Sequence, residues 1–281
     1  MSNINYELEF LFGRWYERII QNGGKNITKD GIMFQNDKSP EETVQMWIPS
    51  PKRVVFLLKD QNQGNDDKWD EDIRYWLKNV DWKDIEKKEK WNANAAANRN
   101  IKNRFIKNIA YILWGLAKAD NNGRCYHEAE KHHNEVKSFF NTQPFALVEC
   151  KKEPGGSSLD ENILRKHFDI YGDLLKEEID ILHPNIIVCC DGQGAIFDFV
   201  TNSYLKDKEY IPFGGQYVLD DGTDLHFETR LRYYPNNKVV VIDSFHPKAR
   251  GKGKDNWIIF DRVLSPFRKF MASEYVSDFF K

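Results

Sequence analysis

The sequence predicts an α/β protein built on a central, mostly parallel β-sheet. Four short runs rich in β-branched and apolar residues recur along the chain. Each run is followed by turn residues and then by a helical pattern of apolar residues. This alternation is typical of strand–helix–strand units, in which helices cover both faces of a parallel sheet. We therefore expect a three-layer αβα sandwich around a four-stranded sheet.

The predicted elements follow one another along the chain. The strands are expected at residues 53–58, 145–150, 185–190 and 238–242. Helices are expected at residues 101–117, 161–182 and 257–272, where apolar residues recur at spacings of three and four. The pair His183-Pro184 ends the second helix, because proline lacks the amide hydrogen that a helix needs.

Residues 204–234 depart from this alternation. They contain Gly214-Gly215, an Asp-Gly pair at 221–222 and a stretch of alternating polarity. These features predict an irregular antiparallel excursion or lid. The Asn- and Ala-rich run 92–100 is expected to be a short polar connection. Since no Pro/Gly/Ser-rich linker divides the chain, we expect one domain over residues 1–281, with the excursion as an insert.

Composition excludes several classes of protein. With 41% hydrophobic and 30% charged residues, the 281-residue chain is neither disordered nor fibrous. Its 41 Lys+Arg and 43 Asp+Glu give a net charge of -2, so a nucleic-acid surface would have to be local. No apolar run reaches about 18 residues, and no secretory signal opens the chain, which predicts a cytoplasmic protein with no membrane contact. The four cysteines form no C-x-x-C pair and are expected to be buried free thiols.

Motifs of several common enzyme classes are absent from the sequence. There is no phosphate-binding P-loop, no nucleophile elbow and no H-E-x-x-H zinc motif. The histidines at 127, 132 and 133 do not have the spacing of a structural zinc site. We therefore expect neither a metal nor an organic cofactor. Ligands of open α/β sheets bind beyond the carboxyl ends of the strands, so those ends are the places to search.

The four strand ends, taken together with the residues between them, resemble those of a known family. Asp-Gln-Asn-Gln-Gly at residues 60–64 follows the first strand, His183-Pro184 precedes the third, and Phe245-His246-Pro247-Lys248 follows the last. In order and spacing over residues 53–250 they resemble the uracil-DNA glycosylase superfamily. That family carries a Gly-x-Asn-Pro-Gly or Gly-Gln-Asp-Pro-Tyr loop after its first strand and a His-Pro-Ser loop after its last. The resemblance implies its fold and a monofunctional DNA glycosylase, which flips a pyrimidine nucleotide and hydrolyses its N-glycosidic bond to leave an abasic site.

The resemblance also implies roles for individual residues. Asn62 would orient or polarise the attacking water, and His246 would stabilise negative charge on the departing base. Asp60 replaces the first glycine of the family loop and is a second candidate for activating water. We expect Asn62 and His246 to meet around the extruded nucleotide. The residue types alone leave structural roles open, since Asn tolerates tight turns and a His before Pro can cap a strand.

Glu149 stands where uracil-removing members of the family carry an asparagine that recognises the base. Alignment on Lys152 and Pro154 gives this position, and a shift by one residue would place Val148 there instead. An ionised carboxylate only accepts hydrogen bonds, so Glu149 would repel uracil O4 and accept from the exocyclic amine of cytosine. We therefore expect a modified cytosine, for example the glucosylated hydroxymethylcytosine of phage DNA. Such a target indicates anti-phage defence, because removing ordinary cytosine would destroy the host's own DNA.

Further residues are expected to contact the flipped base and the DNA backbone. Gln61 and Trp69 are candidates for the base, Trp69 by stacking. Gly155 and Ser157 belong to a small-residue segment that resembles the family's backbone clamp. Four cations follow His246 on a glycine-bearing loop and are candidates for phosphate contacts: Lys248, Arg250, Lys252 and Lys254.

DNA is the expected partner, and no obligatory protein partner is expected. Three alternatives stay open at this point. The chain could be a uracil-DNA glycosylase of base-excision repair, a nucleic-acid-binding module that kept the fold without the chemistry, or a nucleosidase that acts on small molecules.

Overall fold

The computed structural model of the chain describes residues 4–62, 71–81, 83–119, 126–155, 159–218, 226–251 and 255–280. The chain forms two compact units, and each is assembled from two separate stretches. The first unit comprises Met1–Ala96 and Gln143–Pro184, and the second comprises Ala97–Thr142 and Asn185–Lys281. Both units contain helices and strands, which confirms the predicted α/β class. The prediction of one domain over residues 1–281 stays a prediction.

The elements are labelled in chain order. The strands are β1 (Thr28–Lys29), β2 (Gly31–Ile32), β3 (Val54–Asn62), β4 (Glu71–Asp72), β5 (Ala146–Gly155), β6 (Ile186–Cys190), β7 (Ile211–Val218), β8 (His226–Tyr234) and β9 (Val239–Ser244). The helices are α1 (Ile4–Gln21), α2 (Pro40–Trp47), α3 (Ile85–Arg99), α4 (Arg104–Lys118), α5 (Tyr126–Lys131), α6 (His133–Phe140), α7 (Glu161–Leu182), α8 (Ala195–Phe199), α9 (Asn256–Met271) and α10 (Val276–Phe279).

In the first unit the strands lie in the order β2-β5-β3. Strands β3 and β5 are parallel, and β2 runs antiparallel to β5. The strands predicted at 53–58 and 145–150 are confirmed, but they continue to Asn62 and Gly155. The prediction ended them too early because their last residues are polar, whereas ladder hydrogen bonds between main chains persist whatever the side chains are.

The interior of the first unit contains an ion cluster on β5, formed by Lys152, Asp30 and Glu178. All three side chains have no exposed surface, and Lys152 Nζ lies 2.5 Å from Asp30 Oδ1 and 2.8 Å from Glu178 Oε2. Burial lowers the pKa of Lys152, but the two facing carboxyl groups outweigh it and raise the pKa overall. The Lys152 ammonium also lies 4.9 Å from the centre of the Trp15 ring, a favourable cation–π distance.

Asp30 has a second role in this ion cluster. Its Oδ2 accepts a hydrogen bond from the backbone N–H of Glu149 at 2.6 Å. The segment between β1 and β2, which carries Asp30, is thereby tied to two points of β5. Helix α7 is tied to the same strand because Glu178 lies in its last two turns.

In the second unit the strands lie in the order β6-β9-β8-β7. Strands β6 and β9 are parallel, and the ladders of β8 with β9 and β7 with β8 are antiparallel. The strands predicted at 185–190 and 238–242 are therefore confirmed, as is the antiparallel character of the excursion at 204–234. The ladders of the described residues hold more strands than the four predicted, since β2, β7 and β8 pair with them.

The helix predictions differ in accuracy. Helix α7 covers the predicted 161–182, and α9 is displaced by one residue from the predicted 257–272. Helix α4 begins three residues later than predicted, because the side chain of Asn103 accepts from the Ile106 N–H and caps the helix there. The connection predicted at 92–100 is wrong: residues up to Arg99 belong to α3, since alanine favours helix strongly.

Two smaller predictions concern cysteines and membranes. Cys150, Cys189 and Cys190 are buried free thiols, as predicted, and Cys125 lies outside the described residues.

Within the described ranges, none of the helices is both long enough and apolar enough to cross a bilayer.

The ion cluster makes stability depend on pH. Burial and the neighbouring Asp30 raise the pKa of Glu178 well above its usual range. Such a carboxyl stabilises the folded state most below its ordinary pKa, and this contribution is lost as pH rises through the raised pKa. The variant Glu178→Gln cannot ionise, so its free energy of unfolding should fall less than that of the wild type between about pH 5 and about pH 8.

Urea unfolding at both pH values measures this difference. The matched control is Glu177→Gln, which changes a half-exposed pair with Arg14 and should shift stability by about 1 kcal/mol or less. Asp30→Asn should cost about 3–5 kcal/mol, because it weakens the pairing of a buried ammonium. An equal loss in Glu178→Gln and Asp30→Asn at the higher pH would contradict this account.

Candidate functional site

Two groups of residues carry chemistry, one in each unit, and each group is described within its own unit. The first lies towards the carboxyl ends of β3 and β5. Asp60 is paired in register with Lys151, and Leu58 with Glu149. Side chains of paired residues lie on the same face of a sheet and alternate along a strand. Asp60, Glu149 and Lys151 therefore share one face, while Lys152 enters the ion cluster on the other.

Asp60 is the residue of this group whose acid–base properties are most changed. Burial raises the pKa of its carboxyl from 3.8 to about 6, although the charges of Lys151 and Lys59 act in the opposite direction. The Oδ2 atom is enclosed and accepts no hydrogen bond from the described residues. A carboxylate with this pKa is largely ionised at neutral pH and still basic enough to take a proton from water.

Gly155 makes room for that carboxyl group. A Cβ atom at position 155 would lie 1.8 Å from Asp60 Oδ2, so any other residue would push the carboxyl away. The register of β3 and β5 shifts between Asp60 and Asn62, where two residues of β3 span four residues of β5. Gly155 therefore has a local packing role, and its contact with a DNA backbone stays a prediction.

Glu149 lies inside the β3–β5 ladder and not after it. Its side chain is only 3% exposed. The strand continues for six residues beyond it, five further than the predicted strand, and the role of Glu149 in recognising a base stays a prediction. Glu149 is two residues from Lys151 on the same face, which places two carboxyl groups and one ammonium together.

Several predicted residues of this group cannot be placed. Trp69 and Ser157 lie outside the described residues, and so do the side chains of Gln61 and Asn62. The expected approach of Asn62 to His246 therefore stays a prediction. Asp60 is the predicted water-activating residue whose surroundings the structure describes.

His167 on α7 was missed by the sequence analysis. The ring is 6% exposed, and burial, followed by the charges of Lys151 and Lys152, lowers its pKa to about 3. The His167 ring packs 4.3 Å from the Tyr171 ring, and Nδ1 lies 3.9 Å from Glu153 Oε2. A neutral histidine thus adjoins the charged end of β5. Its spacing of four from Tyr171 marks it as core-facing, but no sequence signal shows what it faces.

The second group surrounds His246, which follows β9 in the second unit. The backbone N–H of Lys248 donates to His246 Nδ1 at 3.2 Å. This bond leaves the proton of the neutral ring on Nε2, so the imidazole can act as a hydrogen-bond donor. The His246 ring lies 5.7 Å from the Phe105 ring, and the buried amide of Asn108 donates to the Pro247 carbonyl at 2.7 Å. Helix α4 thus holds the histidine loop in place.

A buried carboxylate that binds two arginines lies at the end of β9, just before this loop. Asp243 is fully buried and accepts from Arg230 at 2.9 Å and from Arg262 at 2.6 Å. The Arg262 guanidinium lies 4.1 Å from the centre of the Phe245 ring. Phe245 directly precedes His246 in the sequence. Gly192 has a φ of +75°, and a Cβ atom there would lie 2.8 Å from the Phe245 ring. The glycine is therefore needed for close packing against the histidine loop.

The cations predicted to contact phosphates are partly placed. Lys248 and Arg250 are exposed directly after His246. Lys252 and Lys254 lie outside the described residues. In the part of the chain that the structure describes, no three His, Cys, Asp or Glu side chains are grouped so that they could hold a metal ion.

No protein-family model matches this sequence, and no curated protein matches it. Function must therefore be inferred from the chemistry of the two groups.

The dependence of Asp60 on Gly155 is open to direct test. In Gly155→Ala the added methyl group should force the Asp60 carboxyl into water, and its pKa should fall from about 6 towards 3.8. Carbon-13 NMR titration of the carboxyl carbons measures this value, with Asp60→Asn identifying the resonance. The control is Gly13→Ala, where a Cβ meets nothing within 4 Å and the pKa of Asp60 should not move. A wild-type pKa near 4 would refute the assignment.

Proposed function

We propose that the chain is a monofunctional DNA glycosylase of the uracil-DNA glycosylase type, with β3, β5, β6 and β9 as the core of its fold. The observation that carries the proposal is the half-buried Asp60 carboxyl with a pKa of about 6. It lies in the segment where the resemblance expects the water-activating residue. A base with this pKa can deprotonate water near neutral pH without any metal ion.

In the proposed reaction the first group acts on the water and the sugar, and the second group acts on the departing base. A water molecule attacks C1′ of the sugar, Asp60 accepts its proton, and Asn62 orients it. The C1′–N1 bond breaks and its electron pair leaves with the base. His246 donates its Nε2 proton in a hydrogen bond to the base oxygen, where negative charge develops. The Asp60 carboxylate also stabilises the positive charge that develops on the sugar.

The favoured target is a modified cytosine in DNA, in a cytoplasmic defence against phage. Glu149 supports this choice because a carboxylate accepts from the exocyclic amine of cytosine and has no proton to offer uracil O4 when ionised. Glu149 also shares its sheet face with Asp60, so that the residue proposed to recognise the base and the proposed general base lie on one surface of the sheet. The modification itself would distinguish phage DNA from host DNA.

Contacts to DNA are assigned to further residues. Gln61 and Trp69 would contact the flipped base. Phosphates would be bound by the loop cations and by the small-residue segment, that is by Lys248, Arg250, Lys252, Lys254, Gly155 and Ser157. The exposure of Lys248 and Arg250 supports this assignment.

Base release from defined DNA tests the proposal. Duplexes carrying cytosine, glucosylated hydroxymethylcytosine or uracil are incubated with the protein, and abasic sites are detected by alkaline cleavage. We expect release of the modified cytosine, with losses of about 10²–10⁴-fold in Asp60→Asn and about 10²–10³-fold in His246→Ala. The control Asp173→Asn removes an exposed carboxylate paired with Arg18 and should keep full activity.

Other outcomes separate the alternatives. Rapid release of uracil alone would refute the role of Glu149 and support a repair enzyme. Binding of DNA with no release from any duplex would support a non-catalytic binding module. Release from free nucleosides but not from DNA would support a nucleosidase.

A further inference from the structure

Helix α1 has an exposed face of large apolar side chains. Tyr6, Phe10, Tyr16 and Ile20 are exposed by 69%, 62%, 41% and 46% respectively. The opposite face of the same helix is already buried in the first unit, through Leu8, Leu11, Phe12, Trp15 and Ile19. The exposed face therefore contributes little to the folding of its own chain.

Gly13 lies at the centre of this face. A Cβ atom at position 13 would meet nothing within 4 Å, and the backbone there has no positive φ that would favour glycine. Glycine in an exposed helix interior destabilises the helix relative to alanine. Nothing in the surroundings of Gly13 within its own chain explains why this position lacks a side chain.

The four exposed side chains are arranged symmetrically about Gly13. Tyr6 and Ile20 lie seven residues before and after it, and Phe10 and Tyr16 lie three residues before and after it. With 3.6 residues per turn, the first two point about 20° to either side of Gly13 and the other two about 60°. A two-fold axis through Gly13 would place Tyr6 opposite Ile20 of a second copy, and Phe10 level with Tyr16 of that copy.

We propose that α1 docks against α1 of a second copy of this chain, as an antiparallel pair with Gly13 at the two-fold axis. Such an interface is isologous, so one self-complementary patch serves both copies. Because glycine has no side chain, the two helix backbones can approach closely at the axis. This close approach accounts for the glycine at position 13, which the contacts within a single chain do not explain.

A groove beside Gly13 adds to the contact. It has a volume of about 460 Å³ and is lined by Phe12, Tyr16 and Ile27, with Glu9, Lys29 and Asp72 at its edge. In the antiparallel pair, Tyr16 of the second copy comes level with Phe10, one residue from Glu9, which lies at the edge of this groove. Glu9 is already bound by Lys29 at 2.8 Å, so docking leaves this carboxylate paired.

The area of this face sets the strength of the dimer. Since Phe and Tyr side chains carry about 150–250 Å² each, the exposed fractions supply on the order of 400 Å² per copy. The pair then buries about 800 Å² before the groove is counted, which is below the roughly 1,000 Å² that stable specific interfaces exceed and in the range of weak contacts. We therefore expect a weak dimer that forms at micromolar protein concentration.

Cysteine cross-linking tests the symmetry of this arrangement. In Gly13→Cys the two new thiols lie at the axis and should form a disulfide-linked dimer on mild oxidation, because bridged Cα atoms lie about 4.4–6.8 Å apart. The control is Ile163→Cys, which places a thiol at another exposed helix position, since Ile163 on α7 is 52% exposed. It should stay monomeric on a non-reducing gel. Absence of cross-linking in Gly13→Cys, or equal cross-linking in both variants, would overturn the proposal.

Sedimentation velocity over a range of protein concentrations tests the dimer itself. The wild type should shift from monomer to dimer as concentration rises, and Phe10→Glu should weaken the dimer at least tenfold. Ile163→Glu should leave it unchanged, while circular dichroism checks that all variants are folded. Gly13→Ala should raise the melting temperature of the monomer but weaken the dimer. A wild type that stays monomeric throughout, or a dimer unaffected by Phe10→Glu, would refute the proposal.

Discussion

The buried ammonium of Lys152 is the constraint on which the first unit depends. It has no exposed surface and is neutralised only where Asp30 and Glu178 come together around it. A slip of β5 by one residue would turn Lys152 to the other face of the sheet. In one direction it would place Glu153 against the two buried carboxyl groups, and leaving buried charges without their partner costs about 3–5 kcal/mol, so the ion cluster disfavours that register.

That register determines which side chains meet at the candidate site. With Lys152 inside, Glu149 and Lys151 lie on the opposite face together with Asp60. Two opposing effects then set the pKa of Asp60: burial raises it, and the nearby lysines lower it. Gly155 completes the arrangement because it is the only residue type that leaves space for the carboxyl group.

The four predicted strands and α7 could be derived from the sequence because their signals are local: β-branched runs, apolar spacing and the His183-Pro184 stop. The missed features depend on partners far along the chain. Asp30 and Lys152 are 122 residues apart, and no local pattern shows that they pair. Likewise, Asp60 is predicted as a candidate base by its type and place, whereas its raised pKa arises from burial, which no local pattern shows. The first and second helices were also missed, although Ser39 and Glu42 form a capping box that marks the start of α2.

The central claim is that the Asp60 carboxylate activates water for base release. The pH dependence of single-turnover base release from a modified-cytosine duplex tests it most directly. We predict that the rate rises about tenfold per pH unit below about pH 6 and levels off above it, because the base must be ionised. In Lys151→Met the break should move to higher pH, since the lost positive charge lowers the pKa of Asp60 in the wild type. A rate that does not depend on pH in this range, or a break that does not move in Lys151→Met, would contradict the claim.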